Sequence, residues 1–167
     1  MKNKLVNAFN QVRDIPYKIP VSLGENDCCC SGKHMLLKKA FENLGYECRY
    51  RVCSFRWSDL KLPKGVCEAQ HDDNSTHVYL EMKIDGEWKN IDATWDSGLS
   101  GVFHVNEWDG ENDTEIAVPI MDLLSDEKSH EIMTNENIEV IRDDLKKNGE
   151  FYKAFNKWLE ECRRLGN

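Results

Sequence analysis

"THVYLEMKIDGEWKNIDATW", residues 76–95, is the stretch that decides the fold, because it is typical of a β-hairpin. Two runs that alternate apolar and polar residues flank Asp85-Gly86, the dipeptide best suited to a two-residue turn with positive φ. If that dipeptide is the whole loop, His77 and Asp92 point to the same side of the hairpin. A three-residue loop would shift the pairing by one residue and put them on opposite faces.

These two side chains would be diagonal neighbours across the hairpin. Their Cβ atoms would lie about 7 Å apart or less, within reach of a hydrogen bond between carboxylate and imidazole. The opposite face is uniformly apolar and belongs against a core; it carries Val78, Leu80, Met82, Ile91 and Ala93. Taken alone, His77 and Asp92 also fit a plainer interpretation as a solvated surface pair, because such residues are common on surfaces.

Upstream, "NDCCCSGKHMLLKKAF", residues 26–41, predicts an amphipathic helix whose first turn contains three consecutive cysteines. Asn26 or Asp27 can cap this helix, and Gly45 lies where a C-terminal stop belongs. The apolar stripe comprises Met35, Leu36, Leu37, Ala40, Phe41 and Leu44. A thiol in the first turn is close to backbone N–H groups and to the positive end of the helix dipole, both of which favour the thiolate.

The rest of the chain supplies further helices and strands. A helix near the start carries Leu5, Val6, Phe9 and Val12, a strand covers 46–57, a surface loop covers 61–75, short β-like pieces cover 101–105 and 114–118, and a helix runs from about residue 138 to the end. A chain of 167 residues suits one domain. We therefore expect a single α+β domain with helices packed on an antiparallel β-sheet, a core of about residues 12–118 and a helical extension of about 122–167.

Composition places the chain among ordinary globular proteins, with 40% hydrophobic and 31% charged residues. Lysine and arginine total 22 against 30 acidic residues, so the net charge of −8 offers no broad cationic surface to nucleic acid or anionic lipid. We expect no nucleic-acid partner and no membrane association. The start lacks a signal-peptide core and the seven cysteines are an odd number, which favours free thiols in the cytoplasm.

Cys30, His77 and Asp92 occur in the order thiol, imidazole and carboxylate, with the thiol at a helix start and the other two on adjacent strands. This arrangement resembles the transglutaminase-like superfamily. The core of that superfamily places a nucleophilic Cys before a helix, and then a His and an Asp on successive strands of an antiparallel sheet, as in papain-like proteases. The resemblance therefore implies a papain-like fold and a Cys30–His77–Asp92 triad.

Three segments carry the resemblance. "CSGKHMLLKKAFENLGYECRYRV" is similar to the nucleophile segment of the family, "THVYLEMKIDGEWKNIDATWD" to its His and Asp segment, and "VRDIPYKI" to a lead-in of microbial members. The likeness runs from about residue 12 to 95 and less closely to 118, so the C-terminal helix lies outside it.

The family pattern also selects among the three cysteines. A small residue and then a lysine follow its nucleophile, and "CSGK" fits Cys30 with Lys33. Cys28 and Cys29 occupy positions that are usually small or polar, so the triplet departs from the pattern, and Cys29 is the second choice of nucleophile. The other two thiols have plainer roles, either as packing residues or as a reserve that forms a disulfide with Cys30 under oxidation.

His34 is an alternative base, because it follows Cys30 by one helical turn. We rank His77 ahead of it, since a side chain on the same helix cannot readily lie between the thiol and a separately held carboxylate, and the family places its base on a strand. The other histidines have structural roles or none; they are His71, His104 and His130.

No cofactor is expected. Many Cys and His residues are available, but no C-x-x-C pair occurs, so the usual spacing of a structural zinc site is absent. "DGENDTE", residues 109–115, is acidic but lacks the spacing of a calcium loop.

The chemistry that the resemblance implies is attack of Cys30 on an amide carbonyl to give a thioester, which water or an amine then consumes. The expected function is thus a cysteine-dependent amide hydrolase or acyltransferase with a protein or peptide substrate. Two alternatives stay open: acetyl transfer to arylamines on a related fold, and a non-catalytic binding module. The sequence also leaves open the second oxyanion donor and the oligomeric state.

Overall fold

A computed structural model describes residues 2–135 and 137–166. In chain order its helices and strands are α1 (Lys2–Arg13), α2 (Cys30–Asn43), β1 (Cys48–Arg56), α3 (Lys64–Cys67), β2 (Asn74–Ile84), β3 (Glu87–Ile91), β4 (Asp122–Leu123), α4 (Asp126–Thr134) and α5 (Ile138–Leu165). The strands form one antiparallel sheet in the order β3-β2-β1-β4. Helices pack on this sheet, so the predicted α+β class is confirmed.

The hairpin between β2 and β3 has the predicted two-residue turn. Asp85 and Gly86 have φ angles of 50° and 88°, and Ile84 pairs with Glu87 as the two-residue loop requires. The ladder ends one step before Asp92, because β3 stops at Ile91. His77 and Asp92 therefore lie just beyond the paired part of the hairpin.

Two clusters of buried side chains form the core. One joins α1 and α2 to the second half of β2; its buried members include Phe9, Leu37, Phe41, Leu80, Met82 and Ile91. The other joins α5 to β1 and to the first half of β2; it includes Val52, Phe55, Trp57, Phe151, Phe155 and Leu159. Cys30 belongs to the second cluster, so α2 contributes to both.

The start of α2 differs from the prediction. The helix begins at Cys30, and its N-cap is Cys29, which makes no side-chain cap bond, rather than Asn26 or Asp27. The Asp27 carboxylate instead accepts hydrogen bonds from the Cys29 amide at 2.9 Å and from the Ser31 hydroxyl at 2.8 Å. It thus stabilises the turn that leads into the helix. The predicted stop is correct, because Gly45 has a φ of 89° just beyond the last turn.

The apolar stripe predicted for α2 is partly wrong. Met35 and Leu36 are about half exposed, whereas the buried side of the helix mixes apolar and polar residues. That side comprises Cys30, Lys33, His34, Leu37 and Phe41. Burial of a lysine and a histidine there is unusual, because such groups require hydrogen-bond partners inside the protein.

The segments 101–105 and 114–118, predicted as β-like, are not strands. Side chains satisfy the backbone there instead of a ladder. The Trp95 indole donates to the Ala117 carbonyl at 3.2 Å, and the Asn106 amide donates to the Glu115 carbonyl at 2.8 Å. The predicted helical extension from residue 122 likewise begins with a short strand, β4, which pairs with Cys53 and Ser54 of β1. Among the described residues, no helix is long and apolar enough to cross a membrane.

Candidate active site

His77 and Asp92 lie in contact inside the protein. The His77 Nε2 is 2.7 Å from the Asp92 Oδ2, and the two residues are 2% and 0% exposed. The interpretation of this pair as a solvated surface pair is therefore wrong. Their burial follows from the packing of the first half of β2 between α2 and the α5 side of the core.

Backbone amides fix the Asp92 carboxylate. Its Oδ1 accepts from the Thr94 amide at 3.0 Å, and its Oδ2 accepts from the Ala117 amide at 2.8 Å. Burial alone would raise the pKa of Asp92, but the charge of His77 and these hydrogen bonds outweigh it and hold the pKa well below its usual range. The carboxylate is thus charged and has one orientation.

The backbone of Asp92 is held just as firmly. Its amide donates to the Thr114 hydroxyl at 2.8 Å, and its carbonyl accepts from the Asn106 side chain at 2.9 Å. These bonds replace the strand pairing that ends at Ile91. The loop that follows β3 therefore positions Asp92, and no pattern in the sequence indicates this role of Asn106 and Thr114.

Cys30 is the first residue of α2 and is 8% exposed. Interaction with the neighbouring Cys29 side chain is the largest influence on its pKa; burial opposes that influence, and the charge of His77 adds to it. The net result is a pKa for Cys30 well below the usual value, whereas the pKa of Cys29 is raised well above it. The thiolate form is thus favoured at Cys30 and the thiol form at Cys29.

His77 is the positive partner of this thiolate. Burial on its own lowers the pKa of His77, but the charge and hydrogen bond of Asp92, together with Cys30, raise the pKa to about 10. Cys53 faces His77 across the β1–β2 ladder and is fully buried; burial raises its pKa to about 12, which makes it a packing thiol. The low pKa of Cys30 and the high pKa of His77 thus favour an ion pair of the two residues next to the Asp92 carboxylate.

His34 does not share this role. Its Nδ1 is 2.7 Å from the Cys30 carbonyl, and its Nε2 accepts a hydrogen bond from the Ala93 amide at 3.0 Å. Both ring nitrogens are therefore occupied by backbone groups. Burial lowers the pKa of His34, so the ring is neutral near pH 7.

Lys33 is fully buried, and its ammonium group lies among three backbone carbonyls. It donates to Arg13 at 2.8 Å, to Ile15 at 2.9 Å and to Thr94 at 2.7 Å. Burial lowers its pKa to about 8, against the opposing charges of three nearby carboxylates. The lysine of the "CSGK" motif thus ties α2 to the segment after α1 and to the segment after β3.

The remaining histidines lie elsewhere. His71 stacks on Phe151 with ring centroids 4.0 Å apart, His104 lies 3.7 Å from a carboxylate oxygen of Glu115 at the surface, and His130 is exposed on α4. All seven cysteines are free. Within residues 2–135 and 137–166, no cluster of three or more His, Cys, Asp or Glu side chains is arranged to hold a metal ion.

Comparison with protein-family models, with curated proteins and with solved structures finds no match to this chain. Membership of the transglutaminase-like superfamily therefore stays a prediction that rests on Cys30, His77 and Asp92 and on the segments around them.

Proposed function

We propose that the protein is a cysteine-dependent amide hydrolase or acyltransferase in which Cys30 is the nucleophile, His77 the acid and base, and Asp92 the group that orients the imidazole. The observation that carries the proposal is the buried 2.7 Å hydrogen bond between His77 and Asp92, next to a thiol of depressed pKa at the start of a helix. A thiol becomes a useful nucleophile when a base lies beside it and a third group holds that base.

In the first half of the reaction, the Cys30 thiolate attacks the carbonyl carbon of an amide and forms a carbon–sulfur bond. The carbonyl π electrons move to oxygen, where the helix-start N–H of Cys30 is available as a donor. When the tetrahedral intermediate collapses, the carbon–nitrogen bond breaks and the His77 imidazolium gives its proton to the departing amine. A thioester on Cys30 and a neutral imidazole remain.

In the second half, His77 accepts a proton from an attacking water or amine. Attack by water gives a carboxylic acid and defines a hydrolase, whereas attack by an amine gives a new amide and defines a transferase. The Cys30 thiolate leaves in both cases, and the site returns to its ion-paired state. Asp92 stays ionised throughout, because its low pKa opposes proton uptake.

The substrate class follows from the resemblance to transglutaminase-like and papain-like enzymes, and is a peptide bond or a glutamine side chain of a protein or peptide. The cytoplasm suits this chemistry, since a reducing compartment keeps the seven free cysteines reduced. The acidic net charge of −8 argues against nucleic acid as a partner.

The proposal is tested by trapping the thioester. The protein is incubated with a capped glutamine peptide and with an activated phenyl ester. Samples without an added amine are acid-quenched and digested with trypsin to locate the acyl group, and parallel samples with hydroxylamine as the acceptor amine measure turnover. We expect an acyl group on Cys30, in the peptide that covers residues 19–33, and no turnover in Cys30→Ala or His77→Ala. Cys48→Ala is the matched control, because that half-buried thiol lies at the far end of β1. Turnover that survives in Cys30→Ala, or no adduct with either probe, contradicts the proposal.

The burial of the site favours a second candidate, a non-catalytic binding module. With Cys30 8% exposed and His77 2% exposed, a substrate reaches the thiolate only when neighbouring side chains move. Reactivity with iodoacetamide separates the two functions. A catalytic thiolate that substrates can reach is alkylated rapidly at about pH 6, whereas a closed binding module reacts only near the ordinary thiol pKa of about 8.5, or not at all.

A further inference from the structure

The ring of His34 bridges two segments that carry different parts of the site. One nitrogen, Nδ1, lies 2.7 Å from the carbonyl of Cys30, the first residue of α2. The other nitrogen, Nε2, lies 3.0 Å from the amide nitrogen of Ala93, the residue that follows Asp92. A single side chain therefore connects the backbone of the thiol residue with the backbone beside the carboxylate.

The partners fix the tautomer of His34. An amide N–H can only donate a hydrogen bond, so the Nε2 that faces Ala93 is the unprotonated acceptor. The proton of the neutral ring is then on Nδ1, from which it is donated to the Cys30 carbonyl. A protonated ring would place a second N–H against the Ala93 amide and break that bond.

The surroundings of His34 include charges of both signs. The Asp92 Oδ1 is 3.7 Å from Nε2, and the His77 ring is perpendicular to that of His34 with centroids 6.3 Å apart. The Cys30 thiolate lies one helical turn away on the same helix. Burial outweighs the attraction of the carboxylate, and the pKa of His34 is lowered. The ring is thus neutral while the groups around it carry charge.

We propose that His34 is a positioning residue that holds the nucleophile turn of α2 in register with the strand end that carries Asp92. His77 reaches both the thiolate and the carboxylate only when these two segments keep their separation. The inference rests on the proposed function in one respect, namely that Cys30 is the group whose reactivity is being set. It adds to the triad a second imidazole that handles no substrate proton.

Packing alone does not account for the choice of histidine at this position. A leucine of similar size would fill the space, but it would leave the buried Ala93 amide without an acceptor, at a cost of about 1–3 kcal/mol. The neighbouring Lys33 already ties α2 to Thr94. What His34 adds is the second bond, to the Cys30 carbonyl itself.

Two substitutions separate the two ends of the bridge. Glutamine places an amide oxygen near the position of Nε2, so His34→Gln retains an acceptor for Ala93 and loses the bond to Cys30. Asparagine places an amide nitrogen near the position of Nδ1, so His34→Asn retains a donor for Cys30 and loses the bond to Ala93. Phe41→Leu is the matched control, because Phe41 is a fully buried residue of the same helix in the α1–α2 part of the core.

The readout is the pH profile of Cys30 alkylation by iodoacetamide. Fragment ions of the tryptic peptide 19–33 identify Cys30 as the alkylated residue. Circular dichroism first establishes that each variant is folded. We expect both His34 variants to shift the profile toward the ordinary pKa of a thiol. The alkylation rate at pH 6 then falls about tenfold for each unit by which the pKa of Cys30 rises. Phe41→Leu lowers stability and leaves the profile in place. An unchanged profile in folded His34→Gln and His34→Asn overturns the inference.

A measurement on the unsubstituted protein covers the case in which the variants do not fold. Nitrogen NMR of the imidazole rings distinguishes a proton on Nδ1 from one on Nε2. We expect the Nδ1–H tautomer for His34 from about pH 7 to pH 9, and a charged ring or the Nε2–H tautomer in that range overturns the inference. Neither readout uses acyl transfer, so a protein that lacks the proposed activity can still confirm or refute the role of His34.

Discussion

Strand β2 contributes to two clusters of charged groups, one buried and one half exposed. The buried cluster contains His77 and Asp92, with exposures of 2% and 0%. The half-exposed cluster lies further along β2, where Glu81 and Asp126 contact Arg49 and Arg51, and its side chains range from 10% exposed at Arg51 to 45% exposed at Asp126. The two clusters differ in their surroundings.

The difference lies in what satisfies each carboxylate. In the buried cluster, backbone amides of Thr94 and Ala117 bind Asp92, so the charge depends on the fold for its partners. In the half-exposed cluster, the partners are arginine side chains, and water can also reach Arg49 and Asp126. A buried charge that loses its partner is costly, whereas an exposed pair contributes little. The four predictions below measure this contrast.

The largest effect is expected for Asp92→Asn. This change removes the charged partner of the buried His77 cation, while the side chain at position 92 keeps about the same volume. We therefore expect a loss of about 3–5 kcal/mol in the free energy of unfolding. The same variant lowers the pKa of His77 and removes alkylation of Cys30 at pH 6. Urea unfolding at pH 7 measures the loss.

Asp73→Asn is the control for that measurement. The Asp73 carboxylate also accepts two hydrogen bonds, from the amide and hydroxyl of Ser58, but these bonds are exposed. We expect a loss below about 1 kcal/mol. Equal losses in the two variants would mean that burial is not what distinguishes the site.

Lys33→Met ranks next. The three carbonyls that Lys33 binds lose a charged donor, while the fold no longer has to bury an ammonium group, so we expect a net loss of about 2 kcal/mol. The pH dependence identifies the cause. The pKa of Lys33 is about 8 in the folded protein and about 10.4 in an unfolded chain, so this group adds stability as pH rises between those values. The stability of the wild type relative to the variant therefore increases from pH 8 to pH 10. A constant difference in unfolding free energy over that range contradicts the assignment of the effect to Lys33.

The ion pair of Cys30 and His77 predicts a plateau in stability. The raised pKa of His77 stabilises the folded protein. This contribution is complete below about pH 6.5 and is lost as the pH rises through about 10. The depressed pKa of Cys30 contributes stability that is full above about 8.5 and is lost as pH falls. Between about 6.5 and 8.5 the two trends cancel, because folding then moves one proton from sulfur to nitrogen.

The measurement is the difference in unfolding free energy between the wild type and the variant that carries both Cys30→Ala and His77→Ala. We expect it to be flat from about pH 6.5 to 8.5 and to fall by up to about 1.4 kcal/mol per pH unit above that range. A difference that already falls steadily through that range would mean that Cys30 is not a thiolate in the folded protein.

The sequence predicted the half of the site that depends on local rules. Asp85-Gly86 fixes the turn, the turn fixes the register, and the register brings His77 to Asp92. The other half depends on chain segments far away in sequence. No periodicity in residues 106–117 indicates that Asn106, Thr114 and Ala117 bind Asp92, because single hydrogen bonds from an irregular loop leave no pattern.

The error in the predicted apolar stripe of α2 has a physical origin. The predicted stripe of α2 included Met35 and Leu36 because they are apolar, but Lys33 and His34 occupy the buried side of the helix instead. Hydropathy ranks these two residues as exposed, and only their partners, the carbonyls of Arg13, Ile15 and Thr94 and the Ala93 amide, make burial possible. Helix α4 lies within the predicted helical extension and has its own start signal, the Ser125 cap that accepts from the Lys128 amide.

The smallest effect is expected in the half-exposed cluster, for Arg49→Met. The Arg49 side chain is 34% exposed, pairs with Glu81 at 2.6 Å and stacks on the Trp88 ring at 4.2 Å. A methionine retains the stacking but not the charge, so we expect a loss of about 0.2–1 kcal/mol that shrinks further in high salt, because screening weakens exposed pairs. Alkylation of Cys30 keeps its pH profile, since Arg49 contacts no residue of the site. A loss of several kcal/mol that persists in high salt would show that this cluster is as dependent on the fold as the buried one, and would remove the distinction between them.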